Sequence, residues 1–248
     1  MAKRIALVTG GTGGIGTAIC RRLSEDGFNV VAGYYGGGKH ELAQAWQDEQ
    51  KAAGYDIQIA FGNVRETNSC EECVQDIEKK VGPIDTLVNN AGVTKDSMFK
   101  KMTWEQWKGV ISANLDSVFN MTRVVINGMI SRGFGRIVCI SSVNAQRGQM
   151  GQTNYAAAKS GMHGFTKALA LEVARKNITV NTISPGYIET SMVMAVAEKI
   201  RNKIIEDIPV GRLGTPKEVA RVVSFLVEED AGYITGANIA VNGGLHMF

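Results

Sequence analysis

The sequence predicts an α/β fold, a single doubly wound parallel sheet with helices on both faces. Three observations carry this. Seven short apolar runs alternate with amphipathic stretches along the chain. The first run leads through Gly10-Gly11-Thr12-Gly13-Gly14-Ile15-Gly16 into an amphipathic stretch, the strand, glycine turn and helix of a Rossmann-type unit. No linker, tandem repeat or low-complexity segment interrupts the chain, so residues 1–248 are expected to form one domain.

Residues 3–9 read as the first strand. In the turn that follows, glycine lets the backbone approach a pyrophosphate, and a helix over residues 17–26 offers free N–H groups and a positive dipole end. Gly10, Thr12, Gly14, Ile15 and Gly16 are therefore candidate cofactor contacts. The second strand, residues 28–34, ends where a dinucleotide fold places the residue that reads the adenosine ribose. An acid there accepts the 2′-hydroxyl of NAD and repels a 2′-phosphate. This chain has Tyr34, Tyr35 and Gly36 instead, then Lys39 and His40, with no acid before Glu41. Tyr35 and Lys39 become the candidates, and the charge favours NADPH, although Gly13 leaves the glycine turn without a basic residue.

A helix over residues 40–53 and a strand over 57–60 lead to Gly62-Asn63-Val64, where Asn63 and Val64 are suited to bracket an adenine. A helix over 68–81 and a strand over 86–89 run into Asn90, Ala91 and Gly92, whose small side chains let backbone pack close to a cofactor. Thr103 is the expected N-cap of a long helix with Glu105 in its first turn. Asn114 falls inside that helix; asparagine is a mediocre helix former, so it is expected to hold a backbone irregularity or a water facing the catalytic helix. A strand over 136–140 precedes a helix over 155–176 that carries Met162, Phe165, Leu169, Leu171 and Val173 on more than one side, which predicts a subunit interface beside a core. The strand over 178–183 ends at Ser184-Pro185-Gly186-Tyr187, on the carboxyl edge where ligands bind in such sheets. Residues 189–207, extending to about 212, read as a lid over the substrate. Thr215-Pro216-Lys217-Glu218 opens a capped helix, and a last strand over 238–241 meets Asn242-Gly243-Gly244.

A 44% hydrophobic fraction with 29 glycines and 4 prolines suits a chain that buries a sizeable core. The net charge of +3 is too small to argue for nucleic acid or a membrane surface. Lys3 and Arg4 precede only four apolar residues, short of a signal peptide, and no apolar run reaches membrane-spanning length. Cys20, Cys70, Cys73 and Cys139 form no disulfide framework, so a cytoplasmic location is expected. Cys70-Glu71-Glu72-Cys73 matches C-x-x-C, yet His40, His163 and His246 are too scattered to complete a zinc site. The two thiols are expected on a surface helix, and no metal is expected.

The chemistry-bearing stretch is 141–159, which ends in Tyr155-Ala156-Ala157-Ala158-Lys159. Alanines are strong helix formers, so Tyr155 and Lys159 lie one turn apart on one helix face. A phenol is a weak acid and a poor base at neutral pH; an ammonium beneath it favours the phenolate. A lowering of about 3 pH units, worth roughly 4 kcal/mol, would bring it near the working pH. Ser142 ends the preceding strand and returns beside Tyr155 through the Gly148 and Gly151 loop. An exposed helix pair beside a loop serine is the bland alternative, and the pair alone does not choose.

Thr9-Gly10, Gly14-Ile15-Gly16, Asn89-Asn90-Ala91-Gly92, Asn114, Ser142, Tyr155-x-x-x-Lys159 and Pro185-Gly186, in that order, resemble the short-chain dehydrogenase/reductase family over nearly the whole chain. Within it, residues 142–155, Ser184-Pro185-Gly186-Tyr187 and the ending Gly-Gly-Leu-His-Met resemble the branch that reduces acetoacetyl-CoA in polyhydroxybutyrate synthesis. The branch reducing 3-oxoacyl groups on acyl carrier protein is a near neighbour. The resemblance implies that Tyr155 protonates a ketone oxygen, Ser142 holds it, Lys159 binds the nicotinamide ribose, and Asn114 supports a water chain. It further implies that Ile188 and Thr190 fix the carboxamide, and that Gln149, Met150, Gln152 and Tyr187 line the acyl pocket. NADPH as cofactor, an acyl thioester as substrate and a homotetramer as assembly follow as expectations. Arg132, Arg136, Arg175 and Lys176 are the cations expected near the mouth to meet either carrier. A dinucleotide-sensing protein without chemistry is the reading of another class, against which stands the joint presence of Ser142, Tyr155 and Lys159.

Overall fold

The computed structural model describes residues 3–247. Its strands are β1 (Ile5–Thr9), β2 (Asn29–Tyr34), β3 (Ile57–Phe61), β4 (Thr86–Asn89), β5 (Gly135–Ile140), β6 (Ile178–Pro185) and β7 (Asn238–Val241). All pair in parallel in one sheet of order β3-β2-β1-β4-β5-β6-β7. The five inner strands are buried along nearly their whole length, and their alternate residues serve two cores. Along β1, Ile5 and Leu7 join one apolar cluster while Ala6 and Val8 join the other.

The helices are α1 (Gly14–Glu25), α2 (His40–Ala52), α3 (Thr67–Lys80), α4 (Trp104–Ile111), α5 (Ser117–Arg132), α6 (Asn144–Arg147), α7 (Thr153–Val173), α8 (Ser191–Met194), α9 (Glu198–Glu206) and α10 (Pro216–Leu226). Thr103 caps α4 as expected and closes a capping box with Gln106, and Thr215 closes the box expected with Glu218 at α10. Helix α1 starts three residues earlier than the sequence reading placed it, because the glycines themselves adopt helical geometry. The long helix after Thr103 is broken into α4 and α5 by a π-helical turn, Ser112–Asp116, centred on Asn114. Asn114 Nδ2 donates to Val110 O at 2.9 Å within the helix and to Val93 O at 2.8 Å outside it, which holds the irregularity.

Strand order reverses at β1, which neighbours both β2 and β4. Two side chains lock this point. Thr9 Oγ1 accepts from the N–H groups of Asn90 and Ala91 at 3.0 and 3.1 Å, and Asn90 Nδ2 donates to the carbonyls of Thr9 and Gly10 at 3.0 and 3.1 Å. The carboxyl ends of β1 and β4 are thereby held open as a crevice, the place where such sheets bind ligands.

Three expectations are corrected. Cys70 and Cys73 are buried on the inner face of α3, not on its surface, since Val74 and Ile77 complete an apolar stripe with them. Arg136, expected near the mouth, is fully buried at the start of β5, at the opposite end of the sheet. Arg132, Arg175 and Lys176 lie at that same end, just before β5 and β6, because parallel strands put every strand start on one edge. None of the four reaches the crevice of its own chain.

Arg136 instead ties the sheet to the segment after α10. Its guanidinium donates to the carbonyls of Glu228, Glu229, Gly135 and Asn177 at 2.9–3.1 Å and stacks over Phe134 at 4.4 Å. Burial lowers its pKa, with Arg4 adding to that. Arg136→Met should orphan those carbonyls and cost about 3 kcal/mol of stability, measured by urea unfolding.

Candidate active site

The crevice opens into a cavity of about 600 Å³ that runs from the glycine turn to α7. At one end lie Gly10, Thr12, Gly14, Ile15 and Gly16, with Tyr35, Asn63 and Val64 beside them. Asn90, Ala91, Gly92 and Asn114 line the middle. Ser142, Gln152, Tyr155, Lys159, Pro185, Gly186, Tyr187, Ile188 and Thr190 line the other end. Residues separated by as much as 180 positions in the chain thus share one wall.

The glycine turn fits a dinucleotide on its own geometry. A Cβ at Gly16 would overlap the Gly10 carbonyl, and one at Gly14 would press Thr190 Cγ2 at 3.1 Å. No side chain caps the N-terminus of α1, which leaves its first N–H groups for an anion. Gly92 is held to glycine for another reason: a Cβ there would overlap Asn114 Oδ1 and lie 3.4 Å from Lys159 Nζ. Asn114 Oδ1 is buried without a hydrogen-bond partner at this spot, beside the lysine.

Three expected contacts stand outside the cavity lining. Lys39 follows a turn, Gly36–Gly38, whose φ angles of 52°, 65° and 83° carry the chain outward into solvent. Gln149 and Met150 sit at the tip of the loop between Gly148 and Gly151, and Met150 is 80% exposed. Conversely, the cavity includes Arg65, Cys73, Asn144, Met192 and Val193, which sequence reasoning did not select. Arg65 was legible as a cation directly after Gly62-Asn63-Val64. Cys73 was not, because only the packing of α3 under Gly62 brings its sulfur there.

Helix α7 is stitched to the end of β5. Lys159 Nζ donates to Ile140 O at 2.7 Å, Ser141 Oγ donates to Lys159 O at 2.9 Å, and Ser160 Oγ donates to Ala145 O at 2.7 Å. Ser142, 9% exposed, accepts from the Asn144 N–H at 3.2 Å. Asn144 Nδ2 donates to Gln152 Oε1 at 3.0 Å, and Gln152 Nε2 donates to Asp96 at 2.7 Å. A continuous polar line therefore runs from the serine to the rim.

The electrostatics differ from the sequence expectation. Lys159 was expected to acidify Tyr155, but its ammonium lies 5.6 Å from the ring centroid and is engaged by Ile140. Burial pushes the Tyr155 phenol up to about 12; the hydrogen bond with Ser142 pulls it down, and Asp96 adds to the rise. Burial draws Lys159 down to about 8 from an ordinary 10.5, against a small opposing effect of Cys139. The amino acids by themselves keep the phenol protonated, the form a proton donor needs.

A lysine pKa below its unfolded value means that the native state binds fewer protons, so its charging opposes folding below about 8 and ceases to do so towards 10.5. Lys159→Met should therefore raise stability by about 2 kcal/mol at neutral pH, after allowance for the lost Ile140 bond. The gain should shrink as the pH approaches 10.5, read by urea unfolding at several pH values.

Among the described residues no helix is long and apolar enough to cross a membrane, and no group of three metal-ligating side chains is found. A family model described as enoyl-(acyl carrier protein) reductase matches residues 10–246. An acetoacetyl-CoA reductase of Cupriavidus necator is 53% identical over 247 residues, covering 100% of both chains. One from Allochromatium vinosum is 54% identical over 244 residues, 98% of this chain and 99% of its own. The 3-oxoacyl-(acyl-carrier-protein) reductase FabG of Haemophilus influenzae is 41% identical over 247 residues, again covering 100% of both. With its single parallel sheet and a crevice that joins the glycine turn to Ser142, Tyr155 and Lys159, the chain belongs to the short-chain dehydrogenase/reductase family, oxidoreductases that use a nicotinamide dinucleotide.

Proposed function

We propose that this chain reduces acetoacetyl-CoA to (3R)-3-hydroxybutyryl-CoA with NADPH, as a step of polyhydroxybutyrate synthesis. The observation that carries the reading is that Ser142, Tyr155 and a buried Lys159 line one end of the same crevice whose other end is the glycine turn. The full-length relatives named acetoacetyl-CoA reductase support the substrate. When bound, the nicotinamide supplies the hydride. Ser142 and Tyr155 hold the ketone oxygen between their hydroxyls, and the protonated phenol hands its proton to that oxygen as negative charge develops. The Asn144 N–H, donating to Ser142 Oγ, orients the serine hydroxyl towards that oxygen. Lys159 binds the nicotinamide ribose, and its charge stabilises the phenolate left behind. Asn114, with its unpartnered Oδ1, holds the route by which that proton is restored.

Gly10, Thr12, Gly14, Ile15 and Gly16 would hold the pyrophosphate, Asn63 and Val64 the adenine, and Ile188 and Thr190 the carboxamide. Gln152 and Tyr187 face the acyl group, and Gln149 and Met150 meet it only from the rim. NADPH is favoured by the absence of an acid between β2 and Glu41 and by Arg65 in the cavity lining, while Lys39 lies on the outward turn. Helices α8 and α9, without a buried residue between them, form the lid. A homotetramer accounts for Leu171, 86% exposed on α7, and Phe119, 54% exposed on α5. Acyl carrier protein as the carrier has less support, since the relative named for it is 41% identical against 53% and 54% for those named for acetoacetyl-CoA.

Tyr155→Phe keeps the ring and removes the proton; turnover of acetoacetyl-CoA should fall by about a thousandfold while NADPH affinity stays within about twofold. Absorbance at 340 nm and fluorescence titration read the two quantities, and retained turnover would refute the assignment. Arg65→Glu should raise KM for NADPH about tenfold and leave KM for NADH nearly unchanged. Equal effects on both cofactors would remove Arg65 from the ribose end.

A further inference from the structure

The polar line from Ser142 through Asn144 and Gln152 ends on Asp96, in a segment that the cofactor chemistry does not use. That segment is fastened to the substrate side of the crevice. Ser97 N donates to Gly151 O at 2.9 Å, and Thr153 Oγ1 lies 3.6 Å from Met102 Sδ. Between these two anchors runs a single helical turn, Phe99–Lys101, which projects away from the protein. It carries an unusual surface. Phe99 is 72% exposed and Trp104, just beyond it, is 67% exposed. Lys95, Lys100 and Lys101 are exposed among them, and none forms an ion pair among the described residues.

Exposed large aromatic rings are ordinarily covered by something, and unpaired lysines beside them select for an anion with a flat apolar part. A phosphorylated nucleotide has both features at once: its base stacks on an aromatic face while its phosphates meet the ammonium groups. We infer that this rim, residues 95–104, takes the phosphorylated nucleotide end of an acyl-coenzyme A, with the base on Phe99 or Trp104 and the phosphates on Lys100 and Lys101. The inference rests on the thioester reading above and names the part of the substrate that the crevice itself does not reach. The same turn fixes which carrier is read. An acidic carrier protein would engage the lysines by charge, whereas coenzyme A engages the rings as well. Asp96 keeps its negative charge while accepting from Gln152 at 2.7 Å, and the three lysines of the rim outnumber it.

The test compares acetoacetyl-CoA with the acetoacetyl thioester of N-acetylcysteamine, which keeps the reacting group and lacks the nucleotide. Lys100→Glu/Lys101→Glu should raise KM for acetoacetyl-CoA about tenfold and move KM for the short thioester less than about twofold. Phe99→Ser/Trp104→Ser should raise KM for the CoA thioester alone by about fivefold. In the wild-type enzyme, raising ionic strength should increase KM for acetoacetyl-CoA and leave that for the short thioester flat, a readout that needs no variant. Equal shifts for both thioesters, no shift, or a response to charge reversal without one to loss of the rings would overturn the nucleotide assignment. Wild-type turnover of the two thioesters measures the parent reading separately: a chain that reduces neither fails in both, whereas one that reduces both with unaltered KM ratios fails only in the rim.

Discussion

Burying one ammonium is the constraint on which the rest of the site depends. Lys159 is 3% exposed, with Ile140 O as its hydrogen-bonding anchor and no ion pair among the described residues. A cation in such a place costs stability, and the cost is reflected in its depressed pKa. The arrangement persists because three hydrogen bonds clamp the start of α7 and the segment after β5 together. Those bonds set the distance between the serine at the strand end and the tyrosine on the helix. Position, more than an acidified phenol, is therefore what the protein alone provides.

The second element of the site is the reversal of strand order beside β1. Hydrogen bonds between Thr9 and Asn90 take the place of what would otherwise be open carbonyls and amides at two strand ends. They also hold the glycine turn at a fixed separation from the asparagine turn. Gly16 and Gly92 then serve close packing in different ways, the first under the Gly10 carbonyl and the second between Asn114 and Lys159. The π-helical turn around Asn114 belongs to the same design, since a regular helix would leave Nδ2 no route to Val93.

Charge is distributed by the topology. Parallel strands send every strand start to one edge and every strand end to the other, so the cations at the starts of β5 and β6 lie on the far edge. Arg136 is the clearest case: its four carbonyl partners make it a tie between the sheet and the segment after α10. The cations of the β4–α4 connection, by contrast, follow a strand end, and the same topology places them on the carboxyl edge beside the crevice.

The strands, the glycine turn, the two capping threonines and the pairing of Tyr155 with Lys159 were legible in the sequence because each is encoded locally. Period, cap chemistry and one helical turn span at most a few residues. Even the irregularity at Asn114 announced itself through a residue unsuited to a helix. What the sequence could not decide depends on contacts between distant segments. Cys70 and Cys73 looked like surface residues until the packing of α3 against β4 and α5 buried them. Lys39, Gln149 and Met150 were chosen by their neighbourhood in the chain, and glycine turns with positive φ swing all three outward. The phenol of Tyr155 was expected to be acidified by its helical neighbour, yet burial outweighs it, and burial is a property of the assembled crevice alone.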